Sequence, residues 1–275
     1  MIHLRTPEEV DAIGRAGAII GALLEEIPNR VRPGLTTKEL DFFCDDFIVS
    51  HDGAVPAFKG LYGFPGSVCI SVNDEVVHGI PAQSRVLTEG DIVSVDGGVK
   101  LDGWCADSAW TFAVGEIGPE ASALLEITER SLWKAIGAAT RGNHIGDIGD
   151  AVIRTVEGTD YGIIRDLVGH GIGREVHEEP QVPNVGRPGH GPLLRPGLVI
   201  AIEPMLSAGT PNIKTLDDGW TVVTADRTLS AHFEHTVAVT PEGPKVLTVV
   251  PGAEQVGFTG QGEAAATGDT TRSAT

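Results

Sequence analysis

Gly90-Asp91-Ile92-Val93-Ser94-Val95-Asp96 recurs, 107 positions later, as Gly197-Leu198-Val199-Ile200-Ala201-Ile202-Glu203. Each copy is a glycine, a run of apolar and β-branched residues of strand length, and a terminal acid. The surroundings repeat more faintly. Arg32-Pro33-Gly34 with Glu39-Leu40 answers Arg141-Gly142 with Asp147-Ile148, and Val77-His78-Gly79-Ile80-Pro81 answers Val176-His177-Glu178-Glu179-Pro180 at a shorter spacing of 99. Each half therefore reads helix, helix, strand, His-x-x-Pro, strand ending in an acid. Two such halves face each other naturally about a pseudo-two-fold, which would bring the acids at equivalent strand ends together. The expected fold is α/β, of α+β type, with antiparallel sheet covered by helices. One domain spans 1–250, its halves about 1–115 and 116–250.

Local signals agree with that order. Thr6-Pro7-Glu8-Glu9 combines an N-cap, a proline at the first helical position and an acidic first turn. The apolar spacing Val10, Ile13, Ala16, Ile20, Leu24 carries that helix to about residue 29. After the break at Arg32-Pro33-Gly34, Thr37 is expected to cap a helix over 37–50. Strands are expected at 68–72, 91–96 and 104–114. Helices follow from Pro119 to about 139 and from Asp147 to about 157, then strands near 198–203, 220–224 and 234–240. From Pro251 onward large apolar residues almost vanish, so 251–275 is expected to be a disordered tail.

Composition narrows the function. The 275 residues are 41% hydrophobic, enough for a sizeable core, and the formal net charge is −18. That balance argues against non-specific nucleic-acid binding, which needs Lys and Arg to displace counterions, and against adsorption to anionic membranes. Cys44, Cys69 and Cys105 form no CxxC pair, so neither a zinc ribbon nor a disulfide framework is indicated; reduced thiols of a cytoplasmic protein fit. The first ten residues hold no apolar signal segment, and no apolar run approaches a membrane span.

Four carboxylates and one imidazole lie in strand-like apolar or glycine-rich sequence: Asp96, Asp107, His170 within Gly-His-Gly, Glu203 and Glu234. Singly, each has an ordinary structural explanation as a cap, a core histidine or a solvated strand end. Together they would be buried like charges, costing on the order of several kcal/mol per ion unless cations sit between them. The set reads as a dinuclear metal site, the usual equipment for hydrolysis. Oxygen donors with one nitrogen suit Mn, Fe, Co or Zn without choosing among them.

The segments Ser71-Val72-Asn73, His78-Gly79-Ile80-Pro81, Val95-Asp96, Asp107, Gly169-His170-Gly171-Ile172-Gly173-Arg174, His177-Glu178-Glu179-Pro180, Ile202-Glu203-Pro204-Met205, Asp218-Gly219-Trp220-Thr221 and Ser230 with Phe233-Glu234-His235-Thr236 resemble the type I methionine aminopeptidases. The resemblance runs over roughly residues 3–248. It implies a pita-bread fold and removal of the initiator methionine from nascent polypeptides when the next residue is small. It further implies Asp96 on one metal, His170 and Glu203 on the other, and Asp107 and Glu234 bridging. A water or hydroxide held between the metals would attack the scissile carbonyl, with Glu203 as general base. His177 would assist at the carbonyl oxygen and His78 at the amide nitrogen. A methionine pocket would be lined by Phe58, Leu61, Phe64, Cys69, Val176 and Trp220. Bacterial members often carry tyrosines near 61 and 64 and an aromatic at 176, so Leu61, Phe64 and Val176 imply a differently shaped pocket. Asn73 and Ser230 match a monovalent-cation site. A cytoplasmic monomer with transient ribosome contact, no specific nucleic acid and no membrane completes what the resemblance implies.

Two rivals are built on the same fold. A proline-directed aminopeptidase or prolidase of the same fold typically carries an extra N-terminal domain, for which a first helix at Thr6 leaves no room. A non-catalytic binding protein on this fold would lose ligands, and all five are present. A type II enzyme would need a helical insertion of about sixty residues before the Glu234 region, set against the short span from Glu203 to Glu234.

Overall fold

The computed structural model describes residues 1–249; the expected tail 251–275 lies outside the described residues. Its helices are α1 (Pro7–Glu26), α2 (Thr37–Val49), α3 (Pro119–Ala138) and α4 (Ile145–Val156). Its strands are β1 (Ala54–Pro56), β2 (Cys69–Val72), β3 (Glu75–Val77), β4 (Ile92–Leu101), β5 (Trp104–Ala113), β6 (Gly162–Ile163), β7 (Val168–Gly171), β8 (Glu178–Pro183), β9 (Val199–Ile202), β10 (Met205–Ser207), β11 (Ile213–Thr215), β12 (Val222–Thr224), β13 (Ser230–His232), β14 (His235–Thr240) and β15 (Gly243–Val246). Every described strand pair is antiparallel.

Helix α1 starts as the sequence indicates. The Glu9 N–H donates to Thr6 Oγ1 (3.3 Å), and the Glu9 carboxylate accepts from the Thr6 N–H (3.0 Å). Such a reciprocal cap contributes about 1 kcal/mol. Helix α2 is capped by Thr36, not Thr37, because Glu39 must stand three residues after the cap to return the bond (2.9 Å). Thr37 is buried instead, its hydroxyl accepting from the Ala82 N–H (2.9 Å). Asp147 lies inside the first turn of α4 and does not open it; its carboxylate accepts from the His144 N–H (2.7 Å).

The strand expected to end at Asp96 runs on to Leu101, so this acid sits mid-strand. Gly97-Gly98 does not stop β4. The absent side chains make room for neighbours: a Cβ at either glycine would lie 2.8 Å from Val68 or Phe58 side-chain atoms. Strands β1, β3, β6, β7, β8, β10, β11, β13 and β15 lie outside the expected strands; all but β8 have four residues or fewer, too brief to show a period.

Among the described residues two large cores flank the sheets, and a smaller cluster of Val76, Val77, Ile164, Met205 and Val222 lies at β3, β10 and β12. α1 and α2 pack with β2, β4 and β5 around Ile13, Ile20, Leu23, Leu40 and Val95. α3 and α4 pack on each other, α3 also against β9, β10 and β13 and α4 against β8, in a core that holds Leu124, Leu132, Ile148, Ile200 and Val237. The repeat in the sequence has a hydrogen-bond counterpart. Gly34 N–H donates to Leu87 O (2.8 Å) as Gly142 N–H does to Leu194 O (3.1 Å), and Thr37 N–H to Arg85 O (2.9 Å) as Ile145 N–H does to Pro192 O (3.0 Å). The bridges Thr36↔Val86 and His144↔Leu193 match as well. Gly90 and Gly197, the opening residues of the two copies, share φ near 90°.

Candidate metal centre

The hairpin β4–β5 turns at Asp102-Gly103, both with positive φ (52° and 78°), the type I′ shape that suits strand twist. Its register pairs Asp96 with Ala109 and Gly98 with Asp107. Side chains alternate faces, so Asp96 and Asp107 point the same way as diagonal neighbours. The segment around β14 is laced to β5. Glu234 N–H donates to Ala109 O (2.8 Å), Ser108 Oγ–H to Glu234 O (2.6 Å) and Asp107 N–H to Thr236 Oγ1 (3.1 Å). This seam brings Glu234 to Asp107 across more than a hundred residues of chain.

His170 enters from β7. Its glycine neighbours allow very close strand approach: a Cβ at Gly171 would lie 2.2 Å from the Glu179 carbonyl oxygen. The geometry assigns the proton to Nδ1, which donates to Gly171 O (2.9 Å). Nε2 is left as a lone pair, 3.4 Å from Asp107 Oδ2 and 3.6 Å from Glu203 Oε1. Donor atoms of Asp107, His170 and Glu234 all lie within 4.8 Å of one another.

Asp107 and Glu234 are each 2% exposed. Burial first, then the neighbouring acids, pushes Asp96, Glu203 and Glu234 well above the usual carboxylate range. Burial raises Asp107 too, against the pull of His177 and the Thr236 hydroxyl. His170 is pushed down by burial, which keeps its ring neutral and able to ligate. Asp96 Oδ1 is buried with no hydrogen-bond partner. An orphaned acceptor among three other buried acids and a bare imidazole nitrogen fits a divalent-cation site, because cations would satisfy the lone pairs and relieve the repulsion together.

The acids open into a cavity of about 550 Å³, a size that accommodates a small ligand. Its apolar wall holds Phe58, Leu61, Phe64, Cys69 and Trp220, with Phe64 edge-on to Trp220 at 5.2 Å. His78 and His177 line it too. His177 is exposed and sits edge-on to His170 at 4.5 Å; His78, at φ +60°, faces Trp220 edge-on at 6.4 Å. Burial lowers the pKa of His78, with His177 adding to the effect; the His177 ring, exposed on one side, is lowered by partial desolvation at the cavity wall and by His170, against an upward pull from Asp107.

Val176, expected in the pocket, is outside the lining: it is buried in the first core with Ile172. Tyr62, Val77, Leu167 and His232 line the cavity and were not named from sequence. Tyr62 stacks on His177 (5.9 Å), and Gly60 and Gly63 around it were the available signal. His232 lies two positions before Glu234, a spacing that puts both on one side of an extended chain. Asn73 and Ser230 meet through Ser230 N–H to Asn73 O (2.8 Å), while their side chains bond to Asp91 and to Leu206 O.

The signature of metallopeptidase family M24 matches residues 11–241. A methionine aminopeptidase of Clostridium perfringens is 54% identical over 250 residues, 91% of this chain and 100% of its own. Methionine aminopeptidase 1 of Bacillus subtilis is 49% identical over 250 residues, again 91% and 100%. The crystal structure of a methionine aminopeptidase from Thermotoga maritima superposes with a TM-score of 0.88 at 42% identity, covering 90% of this chain and 100% of that one. With relatives near half identity along their whole length, and with buried acids and an imidazole converging on one cavity, the chain belongs to metallopeptidase family M24 and, within it, to the methionine aminopeptidases.

Proposed function

We propose that this protein is a metal-dependent aminopeptidase that removes the initiator methionine from nascent polypeptides whose second residue is small. The observation that carries the reading is the convergence of Asp107, His170 and Glu234 donors within 4.8 Å at a cavity with an apolar wall. Asp96, Asp107, His170, Glu203 and Glu234 would hold two divalent ions, of Mn, Fe, Co or Zn. Bound there, the ions lower the pKa of a water and polarise a carbonyl. Glu203 takes the proton from the attacking water and passes it to the leaving amine. His177 donates to the scissile carbonyl oxygen as charge develops on it, and His78 contacts the scissile amide nitrogen. Phe58, Leu61, Phe64, Cys69 and Trp220 receive the methionine side chain, whose thioether suits aromatic walls. The same reading includes a monovalent cation near Asn73 and Ser230, a cytoplasmic monomer and transient ribosome contact. No described helix is long and apolar enough to cross a membrane.

A panel of Met-Xaa-Ser peptides, assayed after loading with each divalent metal, tests the proposal. Methionine should be released before Gly, Ala or Ser and scarcely before bulky residues. Cleavage only before proline would replace this reading with the prolidase one. No turnover together with no stoichiometric metal would leave a binding protein.

A further inference from the structure

The turn Gly173–Glu178 presents His177 to the cavity, and the chain's N-terminal segment fastens that turn from behind. Arg5, the residue before the cap of α1, forms an ion pair through Nη2 with Glu178 Oε2, and the two side chains are only 9% and 12% exposed. Glu178 Oε1 accepts from the Arg174 N–H (2.8 Å) and the Glu175 N–H (3.2 Å). One carboxylate thus ties the start of the turn to the residue following His177. Arg5 is itself anchored: its N–H donates to Gly197 O (2.7 Å), and its guanidinium lies 5.3 Å from the Trp104 ring. Arg174 lies 3.7 Å from the same ring. Gly173 leaves a passage for Arg5, since a Cβ there would lie 2.2 Å from Nη2. The tip of the β4–β5 hairpin closes the assembly, with Cys105 N–H donating to Gly173 O (2.7 Å).

A buried ion pair adds little net stability, because desolvation offsets attraction, yet removing one partner strands the other charge. We propose that Arg5 is a positioning residue for His177, acting through Glu178 to hold the imidazole in register with the scissile carbonyl. The inference rests on the role proposed above for His177. It also explains why a guanidinium stands here: its planar fork can bond Glu178 while its face lies against Trp104.

The test uses the full-length, metal-loaded enzyme and a Met-Ala-Ser peptide. Arg5→Ala should lower kcat on the order of 10- to 100-fold, the usual cost of a slightly misplaced catalytic group, with KM and metal content close to wild type. Arg5→Lys should recover part of that loss, and added guanidinium should rescue Arg5→Ala. On a His177→Ala background, Arg5→Ala should cost less than about twofold, because residues acting through one group are not additive. The full Arg5→Ala loss reappearing on that background would overturn the proposal, as would wild-type kcat in Arg5→Ala. If Arg5→Ala does not fold, Glu178→Gln enters the same cycle with the same expected and refuting outcomes. Wild-type kcat in His177→Ala alone would instead remove the role of His177, and the positioning role with it.

Discussion

Glu234→Gln should stabilise the metal-free protein and destabilise the metal-loaded one. Donor atoms of Asp107 and Glu234 lie within 4.8 Å of each other, and both residues are 2% exposed. At an effective dielectric of about 20, two full charges at that separation repel by about 3.5 kcal/mol. Burial pushes both carboxyls up, so shared protons already relieve part of this, and a gain of about 1–2 kcal/mol remains for the neutral amide. In a domain of this size that raises Tm by about 2–8 °C in chelator. With metal the balance reverses. Ligand binding at a hundredfold excess over Kd stabilises by about 2.7 kcal/mol, or about 5–11 °C. The variant, lacking a charged ligand, should forgo most of that gain. Calorimetry in EDTA and in excess Mn²⁺ should therefore place the variant above wild type in the first buffer and below it in the second. A shift of the same sign in both would refute the electrostatic account of the centre.

Above about pH 7, where the histidines with burial-lowered pKa are neutral in both the folded and the unfolded state, metal-free wild type should lose stability as pH rises further. The folded acids titrate above the unfolded value of about 4, so the folded state holds protons the unfolded state has released, and that advantage disappears as pH passes the raised values. A rising Tm over that range in EDTA would contradict it. Glu203→Gln should abolish peptide turnover while leaving the far-ultraviolet dichroism unchanged, and near-normal activity would remove Glu203 as the base. Gly171→Ala drives a methyl into the Glu179 carbonyl and should cost about 1–3 kcal/mol, seen as a lower Tm and weaker metal binding in titration. Cys44, Cys69 and Cys105 are buried and their thiols pushed up, that of Cys105 to about 11, so Ellman's reagent should find no fast-reacting thiol until denaturant is added.

The helices and the acids were legible because each carried a local signal. Thr6-Pro7-Glu8-Glu9 announces α1 by its own hydrogen-bonding chemistry, and Asp96 and Glu203 stand out against apolar runs of strand length. Thr36-Thr37 shows where such signals become degenerate: either threonine can cap, and only the return bond from Glu39 decides. The pocket was less legible because its shape depends on contacts between segments far apart in sequence. Val176 looks equally apolar whether it faces the cavity or the core; it lies in the connection between β7 and β8, and there it joins Ile172 in the first core. Tyr62 lies in a turn whose direction depends on the positive φ of Gly60 and Gly63.

His232 escaped notice for a reason that the strand registers expose. In β4–β5, Asp96 faces Ala109 and Gly98 faces Asp107. In the second half, His235 faces Ile202 in the β9–β14 ladder and Met205 faces His232 in β10–β13, the same ladder continued past an interruption at Glu203-Pro204. Superposing the two ladders makes Asp96 equivalent to Glu203, Ala109 to Glu234 and Asp107 to His232. Only the first of these pairs keeps an acid in both halves. The first copy carries its second acid at the position where the other copy has His232, whose two ring nitrogens are buried without partners, Nε2 lying 3.8 Å from Glu203 Oε2. The first strand of each half is offset by 107 (203 − 96), but its partner strand by 125 (234 − 109). The extra 18 residues arise because the two-residue turn Asp102-Gly103 is replaced by residues 209–228, which carry β11 and β12, with Ala208 and Leu229 paired where Leu101 and Trp104 pair in the first half. A search at one fixed spacing therefore finds Asp96 and Glu203 and passes over Asp107 and His232. The same insertion carries Trp220 to the cavity wall and pairs β12 with β3 of the first half. The break in the repeat and the apolar wall beside the acids thus have one structural origin.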